Sequence, residues 1–165
     1  MRHELGNSEY NKRRKECEDA LKVMGKNSFR SVSIDDVEKI SDDILKKRAL
    51  HVVTENERVL KTLSALETDN LRLVGKYLYE SHYSLRDNYE VSCSEIDFII
   101  SEFEKSSNVY GARIVGAGFG GSVIVLADVG FEKVMEEISK KYMIKYGIEP
   151  KVIDVETSDG VHRIE

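Results

Sequence analysis

Residues 111–126 read G-A-R-I-V-G-A-G-F-G-G-S-V-I-V-L, a glycine cluster held between two β-branched apolar runs. Five glycines fall within eleven residues (Gly111, Gly116, Gly118, Gly120 and Gly121), a density that points to backbone conformation or close ligand approach rather than packing. Such a segment is either a tight structural turn or a nest of N–H groups that holds an anion. Two nucleotide-binding templates match its letters. Gly116, Gly118 and Gly121 satisfy G-x-G-x-x-G, but that fingerprint needs a helix leaving the loop. Here S-V-I-V-L follows, which is strand chemistry. With Val123 the motif extends to the protein-kinase glycine loop, G-x-G-x-x-G-x-V. The lysine, H-R-D and D-F-G elements that must accompany it are missing from the sequence. The cluster is therefore a loop between two strands.

The rest of the 165 residues sets the frame for that hairpin. Hydrophobic and charged contents of 41% and 33% suit one globular domain with a real core. A net charge of −5 gives no basic footprint for nucleic acid, and no apolar run is long enough to span a membrane. The first ten residues lack the apolar core of a signal peptide. Cys17 and Cys93 have neither metal-ligand spacing nor a second pair, so they read as reduced thiols of a cytoplasmic protein.

Helical periodicity dominates the first two thirds. A first helix over 8–24, capped by Asn7 or Ser8, places Tyr10, Cys17, Leu21 and Met24 at helical spacing and stops at Gly25. Ser33 opens a short second helix ending near Ile40. Ser41 caps a long third one, with Leu45, Ala49, Val52, Val53, Leu60 and Leu63 on one face. A fourth runs from Asp69 to about Arg86, and Ser92-x-x-Glu95 has the form of a capping box for a fifth over 94–105. Strands over 112–115 and 122–127 follow, then a helix over 131–146 stopped by Gly147, and a strand over 151–156. This order specifies an α+β fold, helices packed on a small antiparallel sheet. Three strands make a thin sheet, so a fourth is suspected.

The residues also carry a family resemblance. G-A-R-I-V-G-A-G-F-G-G-S at 111–122 resembles the third motif of the galactokinases, within the wider galactose, homoserine, mevalonate and phosphomevalonate kinase superfamily. S-E-Y-N-K-R-R-K-E-C-E at 8–18, H-V-V-T-E-N-E-R at 51–58 and E-S-H-Y-S-L-R-D-N-Y-E-V-S-C at 80–93 resemble further blocks of the same family, in family order, and S-D-G at 158–160 is similar as well. The family's sugar signature ending in G-E-H-x-D-Y, its phosphate loop G-L-S-S-S-A and its catalytic aspartate have no counterpart in these 165 residues. The resemblance thus implies a single domain over 1–165, a ferredoxin-like C-terminal half without the N-terminal catalytic and phosphate-loop domain. It also implies that the chain opens inside a strand just ahead of His3-Glu4-Leu5.

The resemblance implies roles. In the complete enzyme, ATP-dependent phosphorylation of galactose at the anomeric hydroxyl is expected. Tyr10 would contact the sugar, and Gly116, Ala117, Gly118, Phe119, Gly120, Gly121 and Ser122 would support the phosphate site. No catalytic residue and no metal ligand is expected here. ATP and Mg belong to the complete enzyme, and neither is expected to bind this chain tightly. The implied partners are galactose or a related sugar and an N-terminal kinase domain, with self-association through an exposed inter-domain face and no nucleic acid or membrane. Alone, the chain is expected to be inactive. A stand-alone ligand-binding or regulatory module and one subunit of a split sugar kinase are the alternatives.

Each residue also has a plainer reading. Tyr10 is then an amphipathic tyrosine at a helix start, and the glycine loop a hairpin turn without ligand. Arg13 and Arg14 read as a solvated basic face paired with Glu9, Glu16 and Glu18. His51 and His82 read as buried hydrogen-bonding histidines, and Arg86-Asp87 as a structural ion pair. The carboxylates of Glu16, Glu18 and Asp19 lack a partner set for magnesium.

Overall fold

A computed structural model describes residues 2–155 and Gly160. The helices are α1 (Arg2–Val23), α2 (Ile34–Glu38), α3 (Asp43–Glu67), α4 (Leu71–Asp87), α5 (Ser94–Phe103) and α6 (Phe131–Tyr146), with a 3-10 turn at Phe29–Ser31. Between α5 and α6 the strands β1 (Val109–Val115) and β2 (Ser122–Ala127) form an antiparallel hairpin. Contacts run in a chain: α1 on α3, α3 on α4, α4 on β1, β1 on α5, and α5 on α6.

Local signals set most element ends. Ser33 and Asp36 cap each other reciprocally at α2, while Asp42 and Asn70 accept from backbone N–H groups at the starts of α3 and α4. Gly147 closes α6 in the left-handed conformation. Three expectations shift. Helix α1 begins at Arg2 rather than at an Asn7 or Ser8 cap, since the preceding R-H-E-L-G has no proline and its one glycine costs a helix only about 1 kcal/mol. Asp42, not Ser41, caps α3. The Ser92–Glu95 capping box is also absent: Cys93 is the N-cap residue, one position too late for Ser92. Its hydroxyl instead donates to Asp97 Oδ1 at 2.5 Å.

Two clusters form the core. Ala20, Val32, Val37, Ile40, Ala49 and Val53 join α1, α2 and α3. Ile96, Ile100, Phe103, Ala112, Ile114 and Ile138 join α5, the hairpin and α6. On β1, Ala112 and Ile114 point to α5 and α6, while Gly111 turns to the opposite face against Gly75 of α4. There helix and strand backbones touch directly. A Cβ on Gly75 would overlap the Tyr110 carbonyl, and one on Gly111 would overlap the Gly75 carbonyl. Gly111 therefore serves packing, against the expectation for the glycine cluster. A register shift between Val109 and Gly111 accommodates this contact.

Among the described residues the sheet has two strands. Residues 151–155, expected to start a third, form no ladder, and Glu156 lies outside the described residues. Val152, Ile153 and Val155 have strand side chains but remain more than half exposed, with no paired edge to order them. The apolar face expected along α3 also divides. Ala49 and Val53 are buried, whereas Leu60 and Leu63 are exposed. Leu63 borders a groove of about 350 Å³ between α3, α4 and β1, with Val59, Leu66, Leu78 and Arg113.

Candidate functional site

The glycine loop joins β1 to β2 across residues 116–121, flanked by the Val115–Ser122 pair. Gly116, Gly118, Phe119, Gly120 and Gly121 all have φ between 61° and 117°, so five of six loop residues occupy the region that excludes most side chains. The loop docks on the segment between α4 and α5. The Phe119 N–H donates to the Val91 carbonyl at 2.6 Å, and a Cβ on Gly118 would lie 2.6 Å from both the Val91 Cβ and its carbonyl oxygen. At Gly116 and Gly120 an added Cβ would meet nothing within 4 Å. The loop is thus anchored at Gly118 and Phe119 and unobstructed at Gly116 and Gly120.

Tyr10 lies on α1 with half of its surface exposed (51%). Its helix reaches the same α4–α5 segment, residues 88–91. Arg13, one turn further along, donates through Nε to the Tyr89 carbonyl at 2.7 Å and through Nη2 to the Glu90 carbonyl at 3.2 Å. Arg13 is buried, which corrects the solvated face expected of it; its guanidinium is held by backbone carbonyls and by Glu9 and Glu16. Arg14 does behave as expected, exposed and paired with Glu18. Glu16, Glu18 and Asp19 all engage in ion pairs with arginine or lysine.

Arg48 of α3 completes the support. It is 2% exposed and donates to Glu16 Oε2 (2.6 Å), the Asn88 carbonyl and Glu90 Oε2 (2.7 Å). Burial works against its charge, but the Glu16 and Glu90 carboxylates outweigh that and hold its pKa above the usual arginine value. Arg48 in turn draws the Glu90 carboxyl below its ordinary range. Glu90 adopts φ 55°, an uncommon conformation for a residue with a Cβ. Tyr89 stacks on His51 with ring centroids 4.5 Å apart, and its hydroxyl lies 3.9 Å from the Cys17 sulfur.

His51 is buried with Nδ1 2.9 Å from Ser84 Oγ, as the sequence suggests. Burial first, then the charges of Arg58, Arg113 and Arg48, lower its pKa to about 4, so it is neutral at pH 7. His82 is buried too, but it differs from expectation. Its Nε2 lies 3.3 Å from Asp97 Oδ1 outside hydrogen-bonding geometry, and neither ring nitrogen has a hydrogen-bond partner. Burial pushes its pKa down, with Asp97 acting against that. Arg86 and Asp87 form the expected ion pair. Among the described residues no group of three or more His, Cys, Asp or Glu side chains could hold a metal ion.

The structure therefore brings the Tyr10 helix and the glycine loop onto one short segment. Sequence reasoning missed the residues that do it: Arg13, Arg48, Glu90 and Val91. Arg48 had a readable signal, since it falls beside Leu45, Ala49 and Val52 on the apolar side of α3. Gly75 had one as well, an isolated glycine inside a helical pattern.

Residues 62–144 match the family described as GHMP kinases C terminal, and the chain belongs to that family. Within it, the chain is similar to galactokinases. One from Thermotoga neapolitana is 51% identical over 165 residues, covering 99% of this chain and 47% of the relative. One from Canis lupus familiaris is 40% identical over 146 residues, covering 86% of this chain and 37% of the relative. Among solved structures, Lactococcus lactis galactokinase complexed with galactose superposes with a TM-score of 0.79 at 34% identity, covering 86% of this chain and 39% of that one. The chain spans about half the length of the curated relatives it matches. It corresponds to their C-terminal part.

Proposed function

We propose that this chain is the C-terminal half of a galactokinase-type sugar phosphotransferase, inactive without an N-terminal half. The observation that carries the reading is the joint anchoring of Tyr10's helix and the glycine loop on residues 88–91, in a chain about half identical to galactokinases along its whole length.

In this reading the parent reaction moves the ATP γ-phosphoryl group to the anomeric hydroxyl of galactose. Such transfers depend on positioning and on neutralising phosphate charge. Tyr10 offers an exposed phenol to a sugar hydroxyl. Gly116 and Gly120 leave the loop open for phosphate oxygens to approach the backbone, and Ser122 offers a hydroxyl. Magnesium, which the family uses with ATP, neutralises phosphate charge when bound. The described residues provide no donor cluster for it, and in this reading its ligands come from the N-terminal half. Isolated loop N–H groups without a cation bind anions weakly, so neither ATP nor sugar is held tightly by this chain alone. A cytoplasmic location belongs to the same reading. The test is direct: the purified chain, given ATP, Mg and galactose, yields no galactose 1-phosphate. Turnover by the chain alone overturns the proposal.

A further inference from the structure

We infer that Arg13 and Arg48 are positioning residues for the glycine loop, acting through the strap formed by Asn88, Tyr89, Glu90 and Val91. The strap is not part of a helix or a strand, so its shape depends on what holds it. The guanidinium groups of α1 and α3 do so, beside the Lys47 ion pair to Glu90 and the His51 ring stacked on Tyr89. Arg13 takes the Tyr89 and Glu90 carbonyls, and Arg48 takes the Asn88 carbonyl and the Glu90 carboxylate. Glu16 lies between the two guanidinium groups, 2.6 Å from Arg48 Nε and 3.5 Å from Arg13 Nη1, and fixes them relative to each other. The bond to its side chain and the bond to its carbonyl pin Glu90 in its left-handed conformation.

The next residue receives the loop. The Val91 carbonyl accepts from the Phe119 N–H, and Val91's side chain closes the space beside Gly118. Val91's own N–H donates to the Leu85 carbonyl at 3.0 Å, so the strap is also tied to the end of α4. Loosening the guanidinium grip leaves Glu90 free to relax toward φ < 0. That rotation displaces the adjacent Val91 carbonyl and with it the loop's anchor. Arg13 is one helical turn from Tyr10, so the two walls of the proposed site are mechanically joined. Their sugar and phosphate roles rest on the reading above, but the clamp itself does not.

Hydrogen exchange on the 165-residue chain tests the clamp without any activity. In Arg13→Ala the Phe119 amide exchanges at least ten-fold faster, while amides of α5 and of the β1–β2 ladder stay within two-fold of the parent. Arg13→Lys, which keeps the charge and one donor, recovers part of the lost protection, and Arg14→Ala changes nothing. Unchanged Phe119 exchange in Arg13→Ala overturns the inference and leaves the proposed function standing. Uniform acceleration of all amides in both Arg13 variants overturns it as well, because Arg13 would then be a general stability residue. Glu16→Gln gives a milder check: it speeds Phe119 exchange without removing either guanidinium, and an unchanged rate counts against the clamp.

Discussion

Replacing Gly75 by alanine sets two effects of opposite sign against each other. In a helix interior, alanine is favoured over glycine by about 1 kcal/mol. In this structure the new Cβ would overlap the carbonyl oxygen and carbon of Tyr110, which are backbone atoms of β1 and cannot swing aside. Helix and strand must separate, which loosens packing around Ala112 and Ile114 on the other face of β1. Overpacking a tight interior costs about 1–3 kcal/mol and more when backbone has to move. Taking the upper end and subtracting the helix gain leaves a net loss of about 2 kcal/mol. For a chain of this size that lowers Tm by roughly 4–8 °C. Thermal and urea unfolding followed by circular dichroism measure it. Gly25→Ala is the control: it meets nothing within 4 Å but has φ 63°, so it costs only about 1 kcal/mol from conformation. A Gly75→Ala chain as stable as the parent would refute the claim that backbone contact joins α4 to β1.

Other outcomes follow from the same contacts. His51 has a folded pKa of about 4 against about 6.5 when unfolded, so its stabilising effect is complete above pH 6.5 and is lost as pH falls toward 4. Fully expressed, that difference is worth about 3 kcal/mol. His51→Gln should flatten the slope of unfolding free energy between pH 6.5 and 4.5, and an unchanged slope would count against a buried neutral imidazole. Gly118→Ala should release the loop locally: exchange at Phe119 rises sharply, while global stability falls by no more than about 2 kcal/mol, because the loop can lift off Val91. Retained protection at Phe119 would contradict the docking geometry. In a reconstituted kinase, Tyr10→Phe should raise KM for galactose several-fold and leave KM for ATP within two-fold; equal effects on both would remove Tyr10 from the sugar side.

The sequence made the hairpin legible because its cues are local. β-branched runs on either side of a glycine cluster permit little else, and the Ser33–Asp36 cap and the Gly147 stop were equally local. What escaped depended on contacts distant along the chain. Arg13 and Glu90 are 77 positions apart, and nothing around Arg13 distinguishes it from exposed Arg14. Ser92 is a local exception: it has N-cap spacing, but α5 starts with Cys93 as its N-cap, and the Ser92 hydroxyl donates to Asp97 five residues on. The terminal strand failed for a related reason. Its side chains favour pairing, but pairing requires an edge that the local sequence does not contain.

We propose that this chain is one wall of a sugar-kinase active site whose phosphate loop and catalytic base lie in another half. The most direct measurement mixes the purified chain with the N-terminal part of the Thermotoga neapolitana relative and follows galactose 1-phosphate formation with ATP and Mg. Turnover that appears only in the mixture is the predicted result. Equal turnover by this chain alone, or a stable complex of the two halves with none, would contradict it.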